Sequence, residues 1–201
     1  HAARKRMGIQ LAKEAPVDAD VVTGVPDSSI SAAIGYAEAT GLPYEMGVIK
    51  NRYGGRTFIR PSQELREQGV KIKLSPVRGI VDGKRVVMID DSIVRGTTSR
   101  RIVRLLKEAG AKEVHVRIAA PAFNNPCSVD SVSKDELISA NHSNEEVCEL
   151  IGADSLAFIS PEGLEKAIVK DKTIHQGICR CFFGDDPVED EEKVERFYQG
   201  E

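Results

Sequence analysis

The run Val86-Val87-Met88-Ile89-Asp90-Asp91-Ser92-Ile93-Val94-Arg95-Gly96-Thr97-Thr98-Ser99 constrains this chain more than any other feature. Four consecutive apolar residues, mostly β-branched, suit a strand buried on both faces, as in parallel sheets. Two adjacent carboxylates follow at its C-terminal end, and in an open α/β sheet ligands bind outside the carboxyl ends of the strands. Gly96 then permits a tight turn. Thr97, Thr98 and Ser99 open a helix whose free N–H groups and hydroxyls form an anion cradle. Acids beside such a cradle suit a sugar phosphate, with carboxylates for ribose hydroxyls and Mg²⁺ and amides for a 5′-phosphate. An isolated Asp-Asp would only end a strand, and an isolated Thr would only cap a helix; the reading rests on the ordered string.

The rest of the chain alternates strand and helix. Helical spacing is expected over Ala2 to Ala15, stopped by Pro16, and Val21 to Val25 reads as a strand. Pro26-Asp27-Ser28-Ser29 is turn chemistry before a small-residue helix, Ile30 to Thr40, with Gly41 at its C-terminal cap. Strands are expected at Tyr44 to Ile49, and at Val70 to Val77 and Arg85 to Ile89 around the turn Asp82-Gly83, with a short helix over Ser62 to Gln68. An amphipathic helix over Thr97 to Ala109 and a strand over Val114 to Ala119 follow. Beyond them come a helix over Ser143 to Ile151, a strand over Ser155 to Ile159 and a helix over Pro161 to Val169. The acidic stretch Asp185 to Glu192 leads into a last helix ending at Tyr198. This order predicts an α/β fold with a doubly wound, mostly parallel sheet.

The chain has 201 residues, enough for one domain with a terminal extension, and 41% of them are hydrophobic. A net charge of −3 gives no basis for a nucleic-acid or membrane partner, yet leaves room for a locally basic site. No apolar run has the length of a membrane span and no signal peptide is visible, so a cytoplasmic location is the expectation. The four cysteines, Cys127, Cys148, Cys179 and Cys181, are too sparse for a disulfide framework. The chain opens without methionine, straight into a helical pattern, which suggests part of something longer.

The string from Val86 to Ser99 resembles the phosphoribosylpyrophosphate (PRPP) binding motif of the type I phosphoribosyltransferases. Its version here, Ser-Ile-Val-Arg-Gly-Thr-Thr-Ser, is similar to that of the amidophosphoribosyltransferases of purine synthesis. His1 to Gly8, Gly24 to Asn51 with Val25-Pro26-Asp27-Ser28-Ser29, and Arg52 to Leu74 with Gly55-Arg56-Thr57-Phe58-Ile59 resemble the same family. The likeness is dense from residue 1 to about 121 and again from Glu136 to Ser160. It implies a type I phosphoribosyltransferase domain over residues 1–169, a flexible loop at about 50–61, and a C-terminal helical extension over 170–201. It also implies roles: Ser28, Asp90 and Asp91 for Mg²⁺ and ribose, Arg95, Gly96, Thr97, Thr98 and Ser99 for the 5′-phosphate, and Lys50, Arg52 and Arg56 for pyrophosphate.

The composition of Lys50 to Arg60, with four basic residues and two glycines, agrees with a cationic flap. Such a flap neutralises departing pyrophosphate and excludes water from the activated sugar. The implied reaction is displacement of pyrophosphate by ammonia, giving phosphoribosylamine. Lys50, Arg56 and Mg²⁺ would stabilise the leaving group while Asp90 and Asp91 align the ribose. Ammonia needs no covalent enzyme nucleophile. Implied partners are PRPP, ammonia, purine nucleotides as inhibitors, and further copies of the chain in a homo-oligomer.

The sequence also departs from the family. All four cysteines are internal, so none can be the N-terminal cysteine of a glutaminase domain, and the expected nitrogen source is free ammonia, or ammonia received from a partner or missing segment. Some members hold an iron–sulfur cluster with four cysteines, and here Cys127 and the pair Cys179 and Cys181 lie near such positions. The Cys-x-Cys spacing and the missing upstream ligand argue against an intact cluster. After Asn125-Pro126-Cys127 the chain continues Ser128-Val129-Asp130 rather than with the family's aromatic-Gly-Ile-Asp run. His115 in a strand and His142 in a turn are expected to be structural. Two rivals share the Asp-Asp and Gly-Thr-Thr apparatus: a nucleobase salvage phosphoribosyltransferase, and a non-catalytic PRPP or nucleotide-binding regulator. The flap and Asn141-His142-Ser143 favour the amidotransferase over the first, and the basic flap over bound pyrophosphate argues against the second.

Overall fold

Strand β4 (Arg85–Asp90) is buried on both faces, and its alternation builds the two halves of the core. Val86 and Met88 point to one apolar cluster, Val87 and Ile89 to another. The computed structural model describes residues 1–50, 74–127, 132–169 and 180–183. In it β4 pairs in parallel with β1 (Val21–Gly24) on one side and β5 (Glu113–Ile118) on the other. Strand β6 (Ser155–Phe158) adds to β5, giving a four-stranded parallel sheet in the order β1-β4-β5-β6.

Helices cover both faces. On the first lie α4 (Thr97–Glu108) and α6 (Asn144–Ile151), which contribute Ile102, Val103, Leu106, Val147 and Ile151. On the second lie α1 (Ala2–Glu14), α2 (Ile30–Thr40) and α7 (Pro161–Ile168), with Leu11, Ala32, Ala33, Tyr36 and Leu164. Helices α1 and α2 touch backbone to backbone. A Cβ on Gly8 would lie 1.8 Å from the Ala32 carbonyl oxygen, and one on Gly35 would lie 2.0 Å from that of Lys5. The two glycines allow this close crossing. The expected α/β class and doubly wound parallel sheet are what the chain forms.

Two short strands stand apart from this sheet. β2 (Val48–Lys50) and β3 (Leu74–Pro76) form an antiparallel pair. The strand expected from Tyr44 is shorter: Tyr44 makes only a bridge to Val22, beside the bonds Val22 N–H to Pro43 O and Glu45 N–H to Val22 O. Leu74 to Val77 and β4 do not flank a simple turn either. Pro76 has no N–H to extend a ladder, and Arg78–Val81 closes into a helical turn, α3, that buries Val81. A segment not anticipated from sequence, a 3-10 turn at Lys134–Glu136 followed by α5 (Ile138–Asn141), lies between β5 and α6. The helix expected at Ser62 to Gln68 and the acidic C-terminal helix lie outside the described residues.

The polar side of β5 is satisfied internally. Arg117, 5% exposed, donates to the carbonyls of Ala15 and Val116 and to the Ser155 hydroxyl. His115 contacts Ser155 Oγ through Nδ1 and Glu113 Oε2 through Nε2, each at 2.9 Å. Both side chains tie β5 to β6 and the end of α1. These contacts give His115 the structural role expected for it.

Candidate active site

β4 carries Asp90 and Asp91 to the C-terminal edge of the sheet, where a cavity of about 390 Å³ opens. Val25, Pro26 and Ser28 from the end of β1 line it, with Leu74, Asp90, Asp91 and the stretch Ser92 to Ser99. The sequence string therefore wraps one pocket, and Ser28 joins it from the neighbouring strand.

The anion cradle has a backbone explanation. Gly96 takes a left-handed conformation (φ +73°) as the N-terminal cap of α4. Lacking a side chain, it cannot cap the first N–H groups of that helix, which stay open to the pocket. Thr97 and Thr98 are exposed there and Ser99 is buried. The positive end of the α4 dipole adds to the field an anion would feel.

The two carboxylates are not equivalent. Asp90 is 6% exposed, and its Oδ1 accepts from Ser29 Oγ at 3.0 Å and from the Asp91 backbone N–H at 2.9 Å. Burial pushes the Asp90 carboxyl up to about 6; the Asp91 N–H opposes that, the Asp91 charge adds to it, and Ser29 opposes it. Asp91 is exposed. At neutral pH the site thus presents a buried acid near its titration point beside a solvated one.

Other expected residues fall around this centre. Lys50 Nζ pairs with Asp27 Oδ2 at 2.9 Å, which sets it beside the Pro26–Ser29 turn without lining the pocket. The Ser28 carbonyl accepts from Arg4 Nη1 at 3.1 Å, so α1 steadies the same turn. Arg95 lines the pocket, and its guanidinium donates to Glu136. Arg52 and Arg56 lie outside the described residues.

Sequence reading missed Ser29, Arg4 and Glu136. Ser29 stands at the N-cap position of α2, yet its side chain makes no cap bond and goes to Asp90 instead. Neither Arg4 nor Glu136 carried a local signal, because each acts on a partner more than 20 residues away.

The donors suit Mg²⁺. Asp90, Asp91 and the Ser28 hydroxyl are hard oxygens around one cavity. Among the described residues, no group of three or more His, Cys, Asp or Glu side chains forms a closed metal cage. Mg²⁺ carried in with a phosphorylated substrate needs only one or two protein carboxylates, because phosphates and waters complete its shell. The Sγ atoms of Cys127 and Cys181 lie 2.8 Å apart, so the fold brings these two cysteines together. Cys148 instead contacts the Ala153 carbonyl, and Cys179 lies outside the described residues.

A family model described as the phosphoribosyl transferase domain matches residues 2–154. The amidophosphoribosyltransferase of Bacillus subtilis (strain 168) is 63% identical over 194 residues, covering 94% of this chain and 40% of that protein. That of Staphylococcus aureus (strain Mu50 / ATCC 700699) is 58% identical over 191 residues, covering 93% of this chain and 39% of its own length. The solved glutamine PRPP amidotransferase from B. subtilis, complexed with ADP and GMP, superposes with a TM-score of 0.80 at 64% identity, covering 93% of this chain and 42% of that one. The chain therefore spans about 40% of the length of these curated relatives. Since the family match runs through β1, β4, β5 and the whole Asp90 to Ser99 cradle, this chain belongs to the phosphoribosyl transferase domain family.

Proposed function

We propose that this chain binds PRPP and transfers its phosphoribosyl group to ammonia, releasing pyrophosphate and forming 5-phosphoribosylamine, the first step of purine synthesis. The observation that supports this most is the single pocket in which Asp90 and Asp91 face the uncapped N-terminus of α4. The 63% identity to the B. subtilis amidophosphoribosyltransferase supports ammonia over a nucleobase as acceptor.

In this reading the amides after Gly96, with Thr97, Thr98 and Ser99, receive the 5′-phosphate. Asp90 and Asp91 accept the ribose hydroxyls and hold C1 in line with the incoming amine. C1 becomes oxocarbenium-like as its bond to pyrophosphate lengthens, and ionised carboxylates lining the pocket would favour that charge. Lys50, with Arg52 and Arg56 from the 50–61 loop, takes the negative charge of the leaving pyrophosphate. Mg²⁺, held through Asp90, Asp91 and Ser28, would neutralise pyrophosphate charge when bound. Residues 1–169 form the transferase domain and 170–201 an extension to it. Purine nucleotides would compete at the PRPP pocket, a reading supported by the ADP and GMP bound in the B. subtilis relative. A cytoplasmic homo-oligomer completes the proposal; among the described residues no helix is long and apolar enough to cross a membrane.

The test is pyrophosphate release from PRPP and Mg²⁺ with ammonium or glutamine as nitrogen source. Ammonium-dependent release, lost in Asp90→Asn and Asp91→Asn, is expected. Release only with an added nucleobase would replace this reading with a salvage transferase. PRPP binding without turnover under either nitrogen source would replace it with a regulator.

A further inference from the structure

The turn that presents the phosphate cradle is held from outside the pocket. Arg95 donates through Nε and Nη2 to Glu136 Oε1, at 2.9 and 2.5 Å. The other oxygen of Glu136 accepts from the Ser133 N–H and hydroxyl at 3.1 and 3.3 Å, which locks the carboxylate into a capping box. The Ile138 N–H donates to the Val94 carbonyl at 2.9 Å. A Cβ on Gly96 would stand 2.8 Å from Ile138 Cδ1. Leu137, 1% exposed, anchors the segment, and Asn141 closes it through the Lys134 and Leu137 carbonyls. Val94, Arg95 and Gly96 are thus each gripped by Glu136 or Ile138.

We propose that Glu136 is a positioning residue for the 5′-phosphate cradle: through Arg95 it fixes the Val94–Gly96 turn, so that the amides beginning α4 stand ready for a phosphate monoester. The inference rests on the phosphate reading of that pocket and adds a residue that does not line it. Arg95 contributes geometry here more than charge, because its guanidinium is already committed to Glu136. An ion pair this exposed, with side chains 55% and 38% accessible, adds little to global stability. Its effect falls on binding, since a turn fixed beforehand need not be ordered when ligand arrives. The capping box keeps Glu136 itself from wandering, which lets one carboxylate act as a fixed post.

The experiment uses ribose 5-phosphate binding by calorimetry and the KM and kcat for PRPP in ammonium-dependent pyrophosphate release. It compares wild type with Glu136→Ala, Glu136→Gln, Arg95→Ala and the Glu136→Ala/Arg95→Ala pair. Loss of the post should weaken ribose 5-phosphate binding and raise the PRPP KM by about tenfold, with kcat held within about twofold. The double variant should be no worse than either single one, because both remove the same link. Glu136→Gln keeps an acceptor for the cap, so it reports on binding if Glu136→Ala fails to fold. Unchanged or tighter binding in the Glu136 variants, or additive losses in the pair, would overturn the proposal. Wild type that binds ribose 5-phosphate without turning over PRPP defeats the proposed reaction alone, and the binding series still decides the role of Glu136. Wild type that binds neither ligand overturns both.

Discussion

The Ser29 hydroxyl donates to Oδ1 of Asp90 across 3.0 Å, at a point where the two residues are 1% and 6% exposed. Ser29 stands at the start of α2 and Asp90 at the end of β4, so the bond spans the carboxyl ends of two adjacent strands. The neighbouring Val25 N–H to Ile89 carbonyl bond, 2.9 Å, closes the same gap. Asp90 lines the pocket and Ser29 does not, so the serine holds the carboxylate from behind.

Removing that hydroxyl should therefore disturb the ligand more than the fold. A hydrogen bond to a charged acceptor contributes about 1.5–3 kcal/mol. Ser29→Ala is expected to raise the PRPP KM by about tenfold, because Asp90 is then free to turn away from ribose. Since Ser29 lowers the Asp90 carboxyl, the acid limb of kcat/KM should also move to higher pH in the variant. Initial rates across pH 5 to 8 would check both, and an unmoved KM and acid limb would refute them.

The raised Asp90 carboxyl has a cost to the fold with a definite sign. Its folded value is about 6 against an ordinary 3.8, chiefly through burial. The protonated form is favoured in the native state, so this contribution is fully present below pH 4 and is lost as pH rises through 6. At neutral pH the loss is on the order of 3 kcal/mol. Asp90→Asn keeps an oxygen for Ser29 and the Asp91 N–H without the charge. It is expected to raise Tm at pH 7.5, change it little at pH 4, and abolish turnover. Calorimetry at the two pH values, paired with the pyrophosphate assay, checks the trade between stability and chemistry.

How much of this was legible in the sequence depends on distance along the chain. The strand-acid-turn-helix order of Val86 to Ser99 is local, so its pocket could be read off directly, as could the Gly96 turn and the α4 start. The alternation of strand and helix pointed to a parallel sheet, but that Val21 to Gly24 pairs with Val86 to Ile89 is set by packing between segments more than 60 residues apart and emerges only in the structure. The turn chemistry of Pro26 to Ser29 was local, but the acceptor of the Ser29 hydroxyl sits on the neighbouring strand end and had no local signal. Glu136 and Arg4 were invisible for the same reason. The strand expected over Val70 to Val77 is present at Leu74–Pro76, but its pairing with Val48–Lys50 outside the main sheet depends on a partner more than 20 residues away and has no local signal.

Asp20 carries the opposite sign. Its bonds to the Arg85 side chain and backbone lower its carboxyl to about 2, at the point where β4 begins. The stability it contributes is present above the ordinary value near 3.8 and is lost as pH falls through 2. Arg85 also holds Asp18, so one guanidinium serves both acids. Arg85→Ala should flatten the decline in Tm between pH 4 and pH 2 relative to wild type, while lowering Tm at pH 7. An acid unfolding series on both proteins checks the window; parallel declines would show that Arg85 is not its source.

The α1–α2 crossing tests whether the site depends on a backbone contact far from it. An added Cβ at Gly35 would meet the Lys5 carbonyl at 2.0 Å, a backbone atom that cannot rotate away. Gly35→Ala must then push the helices apart, at a cost of about 1–3 kcal/mol or more. Gly79 is the control, since it lies in α3 with nothing within 4 Å of an added Cβ. Gly79→Ala should change stability by less than about 1 kcal/mol, through helix propensity and chain entropy alone. Ser29 adjoins the first residue of α2, and Arg4 on α1 donates to the Ser28 carbonyl. Separating the helices should therefore raise the PRPP KM as well as lower Tm in Gly35→Ala, and leave both near wild type in Gly79→Ala. A Gly35→Ala protein with lowered Tm but an unchanged KM would show that the Pro26–Ser29 turn keeps its place without the crossing.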